Sequence, residues 1–227
     1  MVLLSVVIPT LNEEKYIEGC LSALQNSRNK DYEIVIVDGH SEDNTVRICE
    51  RYTDKIIFDE REGIGPARNK GAKSASGKFV GFLDADSVPC AGWIDIVIDS
   101  FEKPIVAVGG PTYYGMLMED IMSWSVFTVS SITKRFGFYY LSGNNSAYLR
   151  DFFIQQGGFK PIVCEDVEFS KRISGFWRSI AFRHDMFVRL STRRFKKEGF
   201  LRTLIKWGKA NTMIFLGRGI DGKGYRK

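Results

Sequence analysis

The sequence predicts an α/β fold in which a mostly parallel central sheet carries helices on both faces and a basic amphipathic helix follows. Apolar runs of strand length alternate with helical patterns through the first half of the chain, as in right-handed βαβ units. Three of these runs end at polar or acidic clusters, and basic residues gather after residue 192. These observations indicate a ligand-binding α/β domain with a basic tail.

Length and composition fit a folded globular protein. With 227 residues, 44% of them hydrophobic and 26% charged, the chain suits one domain or one domain with an appendage, and neither a disordered nor a membrane class is indicated. The N-terminal apolar run lacks a basic flank and stops at Pro9, which is unlike a signal peptide. The four cysteines form no C-x-x-C pair, so we expect reduced thiols and a cytoplasmic location.

The elements follow from the pattern of apolar residues, taken in chain order. Strands are predicted over 3–8, 32–37, 55–58, 79–83, 105–108, 146–149 and 186–190. Helices are predicted over 13–26, 43–52, 66–75, 92–102 and 166–174. The uncharged run 121–132 is too short to span a bilayer and predicts a helix that is either buried or interfacial.

Two carboxylates one residue apart follow the apolar run 79–83. While the chain stays extended, Asp84 and Asp86 point to the same side, and carboxylate oxygens are the ligands that Mg²⁺ and Mn²⁺ prefer. A cation held there could grip a diphosphate. The alternative is a solvated acidic turn.

Two further polar clusters, 9–13 after the first strand and 38–41 after the second, are expected at the same sheet edge. Asp38 ends the strand 32–37, where Gly39 lets the backbone turn, and its carboxylate could accept hydrogen bonds from a base or ribose or else cap a helix. Arg68 and Lys70 lie near a helix start and could meet an anion, with a solvated face as the alternative. The G-x-G fragment before them lacks a third glycine and does not indicate a dinucleotide site.

The acids Glu165 and Asp166 precede a helical pattern. Acidic residues are favoured at a helix start by the helix dipole, but a carboxylate near a metal cleft can also act as a general base toward a hydroxyl. The segment 143–146 lies just upstream and could supply amide donors to the same cleft.

The order of these motifs resembles family 2 glycosyltransferases of the Rossmann-like GT-A fold, from residue 4 to about residue 175. Within this family the chain resembles small members that are similar to dolichyl-phosphate mannose synthases. The motifs are VIPTLNEE (7–14), VDGHS (37–41), ARN (67–69), DADS (84–87), GNNSA (143–147) and EDVE (165–168).

The resemblance implies a role for each matching residue. The donor nucleotide would contact Pro9, Thr10, Leu11, Glu13, Asp38, Arg68, Asp84 and Ala85. Mn²⁺ or Mg²⁺ would be held by Asp84 and Asp86, and Asp166 would be the general base of an inverting transfer. The acceptor side would include Gly143, Asn144, Asn145 and Glu165, and the donor diphosphate would be held from the far side by Arg193, Arg194 and Lys197.

Two departures from the family pattern narrow the expectation. The Q-x-x-R-W motif and membrane helices of the processive synthases do not occur, so chain polymerisation is not expected. Position 39 is glycine where many relatives carry a second aspartate, so the contacts to base or ribose are expected to differ.

The tail carries most of the basic character. After residue 192 there are eleven Lys or Arg against two acids, and the formal net charge of the whole chain is +5. On a helical wheel Arg202, Lys206 and Lys209 lie opposite an apolar face that is formed by Phe200, Leu204, Trp207 and Ile214. Such a helix either packs on the domain or touches an anionic membrane surface, which would suit a lipid-linked acceptor at the cytoplasmic membrane face.

We therefore predict a glycosyltransferase domain over 1–192, with a nucleotide-binding half (1–110) and an acceptor half (111–192), followed by a basic segment over 193–227. Its predicted reaction moves a sugar from a UDP- or GDP-sugar to a hydroxyl or lipid-phosphate acceptor. The alternatives are a nucleotidyltransferase and a non-catalytic nucleotide-sugar-binding protein. No nucleic-acid partner is expected, because the basic residues form one tail without a recognised binding motif.

Overall fold

The computed structural model describes residues 1–115 and 137–222. Within these ranges the strands are β1 (Leu4–Thr10), β2 (Tyr32–Asp38), β3 (Ile56–Phe58), β4 (Phe79–Leu83), β5 (Ser87–Pro89), β6 (Ala107–Gly109), β7 (Thr112–Tyr113), β8 (Asn145–Leu149), β9 (Ile180–Phe182) and β10 (Val188–Leu190). The helices are α1 (Ile17–Gln25), α2 (Thr45–Cys49), α3 (Ile64–Ser74), α4 (Trp93–Ser100), α5 (Arg150–Gln155), α6 (Glu165–Arg172), α7 (Arg193–Glu198) and α8 (Phe200–Phe215), with a 3₁₀ helix over Ser174–Ser179.

The central sheet has the order β3-β2-β1-β4-β8-β6-β9. Its strands pair in parallel except β8, which runs antiparallel to both β4 and β6. The predicted mostly parallel α/β sheet is therefore confirmed. Because β1, β2 and β4 are parallel, the polar residues that follow them meet at one edge.

A second, smaller sheet has the order β5-β10-β7. In this sheet β10 is antiparallel to β5, and Leu190 pairs with Ser87. The pairing brings the residues after β10 next to Asp86, which precedes β5. The start of the C-terminal segment is thereby fixed beside the carboxyl edge of the central sheet.

Helices cover both faces of the central sheet, as predicted. On one face Val6 and Ile8 pack with Leu21 of α1 and Trp93 of α4. On the other face the core includes Val7 of β1, Ala67 of α3, Phe153 of α5 and Phe169 of α6. Alternation along each strand explains the two cores, since neighbouring side chains point to opposite faces.

Helix α3 lies unusually close to the sheet because of Gly71. A Cβ atom built at Gly71 would lie 2.3 Å from Cγ1 of Val7 and 2.9 Å from Cγ2 of Val37. Any larger residue would push the helix away from β1 and β2. The close approach fixes the position of Arg68, one helical turn earlier.

Three local expectations differ from the structure. The chain does not stay extended through the acidic pair, because the Ser87 N–H donates to the carbonyl of Asp84 at 3.0 Å and closes a turn. After β2 the left-handed residue is His40 (φ 59°), not Gly39. The helix predicted from residue 13 begins at Ile17, so Glu13 lies in a loop.

The predicted run 121–132 lies outside the described residues. In the described ranges, no helix combines the length and apolar character that are needed to cross a bilayer.

Candidate active site

A cleft of about 1180 Å³ opens at the carboxyl edge of the central sheet. It is walled by the loops after β1 and β4, the segment before β8, the start of α6 and the two C-terminal helices. The residues singled out from the sequence that line it are Pro9, Leu11, Glu13, Arg68, Asp84, Ala85, Asp86, Asn144, Glu165, Asp166, Arg193 and Lys197. Segments that are distant in the sequence therefore meet in one cleft.

Thr10 and Asp38 do not line this cleft. Both are fully buried, and Thr10 Oγ1 donates to Asp38 Oδ2 at 2.8 Å. The backbone N–H and hydroxyl of Ser41 donate to the same carboxylate at 2.7 and 2.6 Å. The expectation of an open carboxylate at Asp38 is therefore not met, because this side chain ties together its own loop and β1.

Asn145 is also placed differently from the expectation. It is fully buried, and its amide donates to the carbonyls of Pro111 and Met186 at 2.9 and 2.8 Å. Its oxygen accepts from Trp93 Nε1 at 2.9 Å. Asn145 thus joins structural elements rather than facing an acceptor, whereas the neighbouring Asn144 does line the cleft.

Arg68 is buried and engaged by two carboxylates. Its Nη2 donates to Asp84 Oδ1 at 2.6 Å, and its Nη1 donates to Glu165. Burial opposes its charge, but Asp84, Glu165 and Asp166 outweigh that effect and raise the pKa of Arg68. Arg68 therefore positions acidic groups and is not an open anion site.

Glu165, which pairs with Arg68, is buried, whereas the side chain of Lys70 on the same helix as Arg68 is partly exposed. Burial raises the pKa of Glu165, although Arg68 opposes the shift. Lys70, which was expected beside Arg68 at an anion site, pairs instead with Glu60 at 2.9 Å. The solvated alternative therefore describes Lys70.

Arg193 closes the opposite side of the cleft. Its Nη1 and Nη2 each donate to Glu13 at 2.5 Å, and its Nε lies 2.8 Å from Asp86 Oδ2. Ser191 Oγ donates to the same Asp86 oxygen at 2.7 Å. The guanidinium also lies over the ring of Tyr16, 4.9 Å from its centre.

The charges around Glu13, Asp86 and Arg193 shift the pKa values of Glu13 and Arg193. Burial raises the pKa of Glu13 to about 6, and Asp86 and Asp84 add to the shift, while Arg193 opposes it. Burial alone would lower the pKa of Arg193, but Glu13, Asp86 and Asp84 outweigh it and raise this pKa. The carboxylates of Glu13, Asp86 and Asp84 therefore stabilise a positive charge at this position, which Arg193 supplies.

The acidic turn fits a divalent cation in its chemistry. Asp84 and Asp86 both line the cleft and offer carboxylate oxygens. No group of three or more His, Cys, Asp or Glu side chains that could hold an ion occurs in the part of the chain that the structure describes. A cation would therefore take its other ligands from phosphate and water, as Mg²⁺ commonly does.

Asp166 lies in the first turn of α6 and faces the cleft. Its Oδ2 accepts hydrogen bonds from the Tyr140 hydroxyl at 2.8 Å and from the Gly143 N–H at 3.0 Å. Burial and the charge of Asp166 raise the pKa of Tyr140, which keeps that hydroxyl protonated and donating. The Gly143 N–H is thus engaged by Asp166, and its predicted place on the acceptor side stays a prediction.

The sequence did not indicate the hydrogen bond of Tyr140 to Asp166 or the pairing of Arg193 with Glu13. Tyr140 stands in an aromatic run with no diagnostic spacing, and the pairs that Arg193 forms depend on how β10 pairs with β5. No local signal in the sequence marks either contact.

The C-terminal helices form the outer wall of the cleft. Leu204, Trp207, Asn211 and Phe215 of α8 line it, so the apolar face of this helix points inward. Lys197 of α7 lies at the same wall, whereas the side chain of Arg194 lies outside the described part of the molecule. The outer wall is thus largely apolar and aromatic.

Residues 5–159, more than half of the chain, match the family model of glycosyl transferase family 2. The chain belongs to this family. Membership confirms the resemblance that the motifs indicated and makes the protein a glycosyltransferase.

A curated relative named as a glycosyltransferase covers most of the chain. The chain is 27% identical over 230 residues to glycosyltransferase AglE of Haloferax volcanii, covering 93% of this chain and 74% of that one. The chain spans only 26% and 34% of the length of two other curated relatives.

Two solved structures show the fold. Glucosyl-3-phosphoglycerate synthase from Mycobacterium tuberculosis, in complex with Mn²⁺, UDP-glucose and phosphoglyceric acid, has a TM-score of 0.71 at 18% identity, over 96% of this chain and 79% of that chain. A mannosyltransferase from Pyrobaculum calidifontis, in complex with GDP-Man and Mn²⁺, has a TM-score of 0.66 at 19% identity, over 91% and 64%. The fold is that of GT-A glycosyltransferases.

Proposed function

We propose that this glycosyltransferase moves a sugar, with inversion, from a UDP- or GDP-sugar to a hydroxyl or lipid-phosphate acceptor, and that it depends on Mn²⁺ or Mg²⁺. The observation that carries the proposal is the shared cleft, in which the acidic turn of Asp84 and Asp86 lies together with the hydrogen-bonded carboxylate of Asp166. The acidic turn could bind a cation that neutralises the leaving diphosphate, and the Asp166 carboxylate could accept the proton of the attacking hydroxyl.

The proposed reaction is a single displacement. Asp166 accepts the proton of the acceptor hydroxyl as the acceptor oxygen forms its bond to the anomeric carbon. The bond from that carbon to the phosphate oxygen breaks, and its electron pair leaves with the nucleoside diphosphate. Tyr140 and Gly143 hold the carboxylate in place. Asp84 and Asp86 would hold a divalent cation, which would supply positive charge to the leaving group.

The donor class rests on the relatives. One fold neighbour holds UDP-glucose and the other GDP-Man, each with Mn²⁺. We therefore propose UDP- and GDP-sugars as the first donors to test.

The test is a donor screen with a defined chemical readout. Purified protein is incubated with single UDP- and GDP-sugars in MnCl₂, MgCl₂ or EDTA, and release of nucleoside diphosphate and the configuration of the product are measured. We expect metal-dependent release of nucleoside diphosphate and an inverted product. Pyrophosphate release would indicate a nucleotidyltransferase instead, and donor binding without turnover would indicate a binding protein.

We also propose that the protein contacts the cytoplasmic membrane face and takes a lipid-linked acceptor. The outward side of α8 exposes Leu201 and Ile205 by 72% and 57%, and Leu216, the residue that follows the helix, is 71% exposed. Arg202, Lys206 and Lys209 are exposed beside them. An apolar strip bordered by cations suits an anionic lipid surface. The opposite side of the same helix lines the cleft, which would bring a lipid acceptor to it.

Co-sedimentation with anionic liposomes tests this contact. We expect binding at low salt, and Ile205→Glu should abolish it by placing a negative charge in the apolar strip. Ile154→Glu, which changes an exposed apolar residue on α5, is the matched control and should bind as the unchanged protein does. If the unchanged protein does not bind at low salt, the membrane contact is wrong and the proposed reaction is unaffected.

A further inference from the structure

One guanidinium fastens the C-terminal helices across the cleft. Arg193 is the first residue of α7, and it reaches back to Glu13 after β1 and to Asp86 after β4. Its side chain is 38% exposed, while those of Glu13 and Asp86 are 11% and 9% exposed. The contact therefore joins a surface segment to two nearly buried carboxylates.

The other end of this segment is held independently. Lys171 of α6 donates from Nζ to the carbonyls of Ile214 and Phe215 at 3.1 and 3.2 Å. Between the two attachments lies Gly199, with φ 83°, which links α7 to α8. Loss of the Arg193 contact would therefore loosen one end of the segment, where the buried ring of Phe195 remains, while the far end of α8 stays attached.

The Asp86 carboxylate that pairs with Arg193 cannot bind a second cation in the same position at the same time. The oxygen that Arg193 Nε contacts belongs to the carboxylate that is proposed to hold the divalent cation. A second cation there would be repelled by the guanidinium, since like charges this close in a partly buried site disfavour each other. Arg193 and the metal therefore compete.

We propose that Arg193 is an internal counter-ion that occupies the cation place between Glu13 and Asp86 in the donor-free protein. It gives up Asp86 when a divalent cation binds with the donor diphosphate, and α7 and the start of α8 are then released from the cleft. The metal and diphosphate in this inference rest on the proposed function. The fastening of the segment by Arg193 rests on the observed contacts alone.

Removal of Arg193 should change the Mn²⁺ affinity in opposite directions if Arg193 competes with the metal and if it only stabilises the site. If Arg193 only stabilised the site, its removal would weaken Mn²⁺ binding or leave it unchanged. If it competes, Arg193→Gln should bind Mn²⁺ more tightly in the absence of nucleotide. The gain would be about tenfold if the counter-ion occupies the place about 90% of the time.

The experiment compares three variants with the unchanged protein. Arg193→Gln removes the charge, Arg193→Lys keeps a charge that cannot bridge both carboxylates, and Lys196→Gln is the control at an exposed position of α7 that does not line the cleft. Binding of MnCl₂ alone is measured by calorimetry, and hydrogen exchange of the amides of α7 and α8 is measured by mass spectrometry.

We expect faster exchange over α7 and the first turns of α8 in Arg193→Gln without any ligand. Exchange in the last turn of α8 should stay unchanged, because Lys171 holds it. The Arg193→Lys variant should lie between, and Lys196→Gln should match the unchanged protein. The unchanged protein should show the same faster exchange when MnCl₂ and UDP or GDP are added.

Two results would overturn the inference. One is unchanged exchange over α7 in Arg193→Gln, which would show that the contact fastens nothing. The other is Mn²⁺ binding by Arg193→Gln that is no tighter than that of the unchanged protein. If neither protein binds Mn²⁺ with or without nucleotide while exchange responds as expected, the metal part of the proposed function fails, and the competition with it, but the fastening stands.

Discussion

At the scale of single residues, the sequence identifies the acidic groups of the site but not their partners. Asp84, Asp86 and Asp166 could be predicted because each follows a strand or opens a helix. Their cations could not, since Arg68 and Glu165 are 97 residues apart and Arg193 and Glu13 are 180 apart. Such pairs depend on the finished fold rather than on spacing.

Asp166→Asn should abolish sugar transfer and spare donor binding. An amide cannot accept the proton of the acceptor hydroxyl, and loss of a general base costs about 10²-fold to 10⁴-fold in rate. The turnover number and the donor dissociation constant are the quantities to measure. Glu168→Gln is the control on the same helix, because Glu168 pairs with Arg172 and Lys160 away from the cleft. Unimpaired turnover by Asp166→Asn would remove Asp166 from the mechanism.

Glu13 should make stability depend on pH in a defined window. Burial raises its pKa from 4.5 to about 6, so the folded protein binds the proton more tightly than the unfolded chain. Its contribution is therefore fully present below 4.5 and is lost as pH rises through about 6, by about 2 kcal/mol. Thermal unfolding across this window should show the decline relative to Glu13→Gln. Glu50→Gln, at an exposed position, should keep the dependence.

At the scale of elements, period and composition predict strands better than loops. The strands 32–37 and 79–83 match within one residue, because buried strands read as continuous apolar runs. The orientation of α8 was harder to predict. Its wheel shows one apolar face, but Leu201 and Ile205 lie outside it and are exposed. Only the packing of α8 over the cleft shows which apolar residues face inward.

Gly71→Ala should destabilise the protein by about 1 to 3 kcal/mol through overpacking. The added methyl group would meet Val7 at 2.3 Å and Val37 at 2.9 Å and force α3 off the sheet. Gly208→Ala is the matched change within α8, where nothing lies within 4 Å of the new atom. It should stabilise by about 0.5 to 1 kcal/mol, because glycine disfavours helix interiors. Chemical denaturation measures both, and equal effects would contradict the packing argument.

At the scale of the whole molecule, the first four strands of the central sheet could be predicted with their parallel arrangement, and the later strands β6 and β8 could be predicted as elements but not in their pairing. Alternation of strands and helices predicts β1 to β4 with their helices. In the second sheet β10 falls within the predicted strand 186–190, but β5 and β7 have only two or three residues, so no periodicity marks them or their pairing with β10. The division of the chain at residues 110 and 192 stays a prediction.

Asn145→Ala should loosen the junction between the two sheets. Asn145 starts β8 of the central sheet and bonds to the carbonyls of Pro111 and Met186, which precede β7 and β10. Its loss removes three side-chain hydrogen bonds, including the one to the buried Trp93 indole, although the Pro111 carbonyl keeps the N–H of Val188, and we expect a cost of about 2 to 4 kcal/mol. Thermal unfolding measures the loss. Asn26→Ala, at an exposed site after α1, should change little, and a similar effect of both would contradict the structural role of Asn145.

The position of Cys164 gives the protein a built-in occupancy reporter. Of the four thiols it is the one that is not buried, and it lines the cleft two residues before Asp166. Burial raises the pKa of the other three, which makes them poor nucleophiles. An alkylating reagent should therefore modify Cys164 first, and a bound substrate should slow that modification. The native chain can thus be footprinted by mass spectrometry without an engineered label.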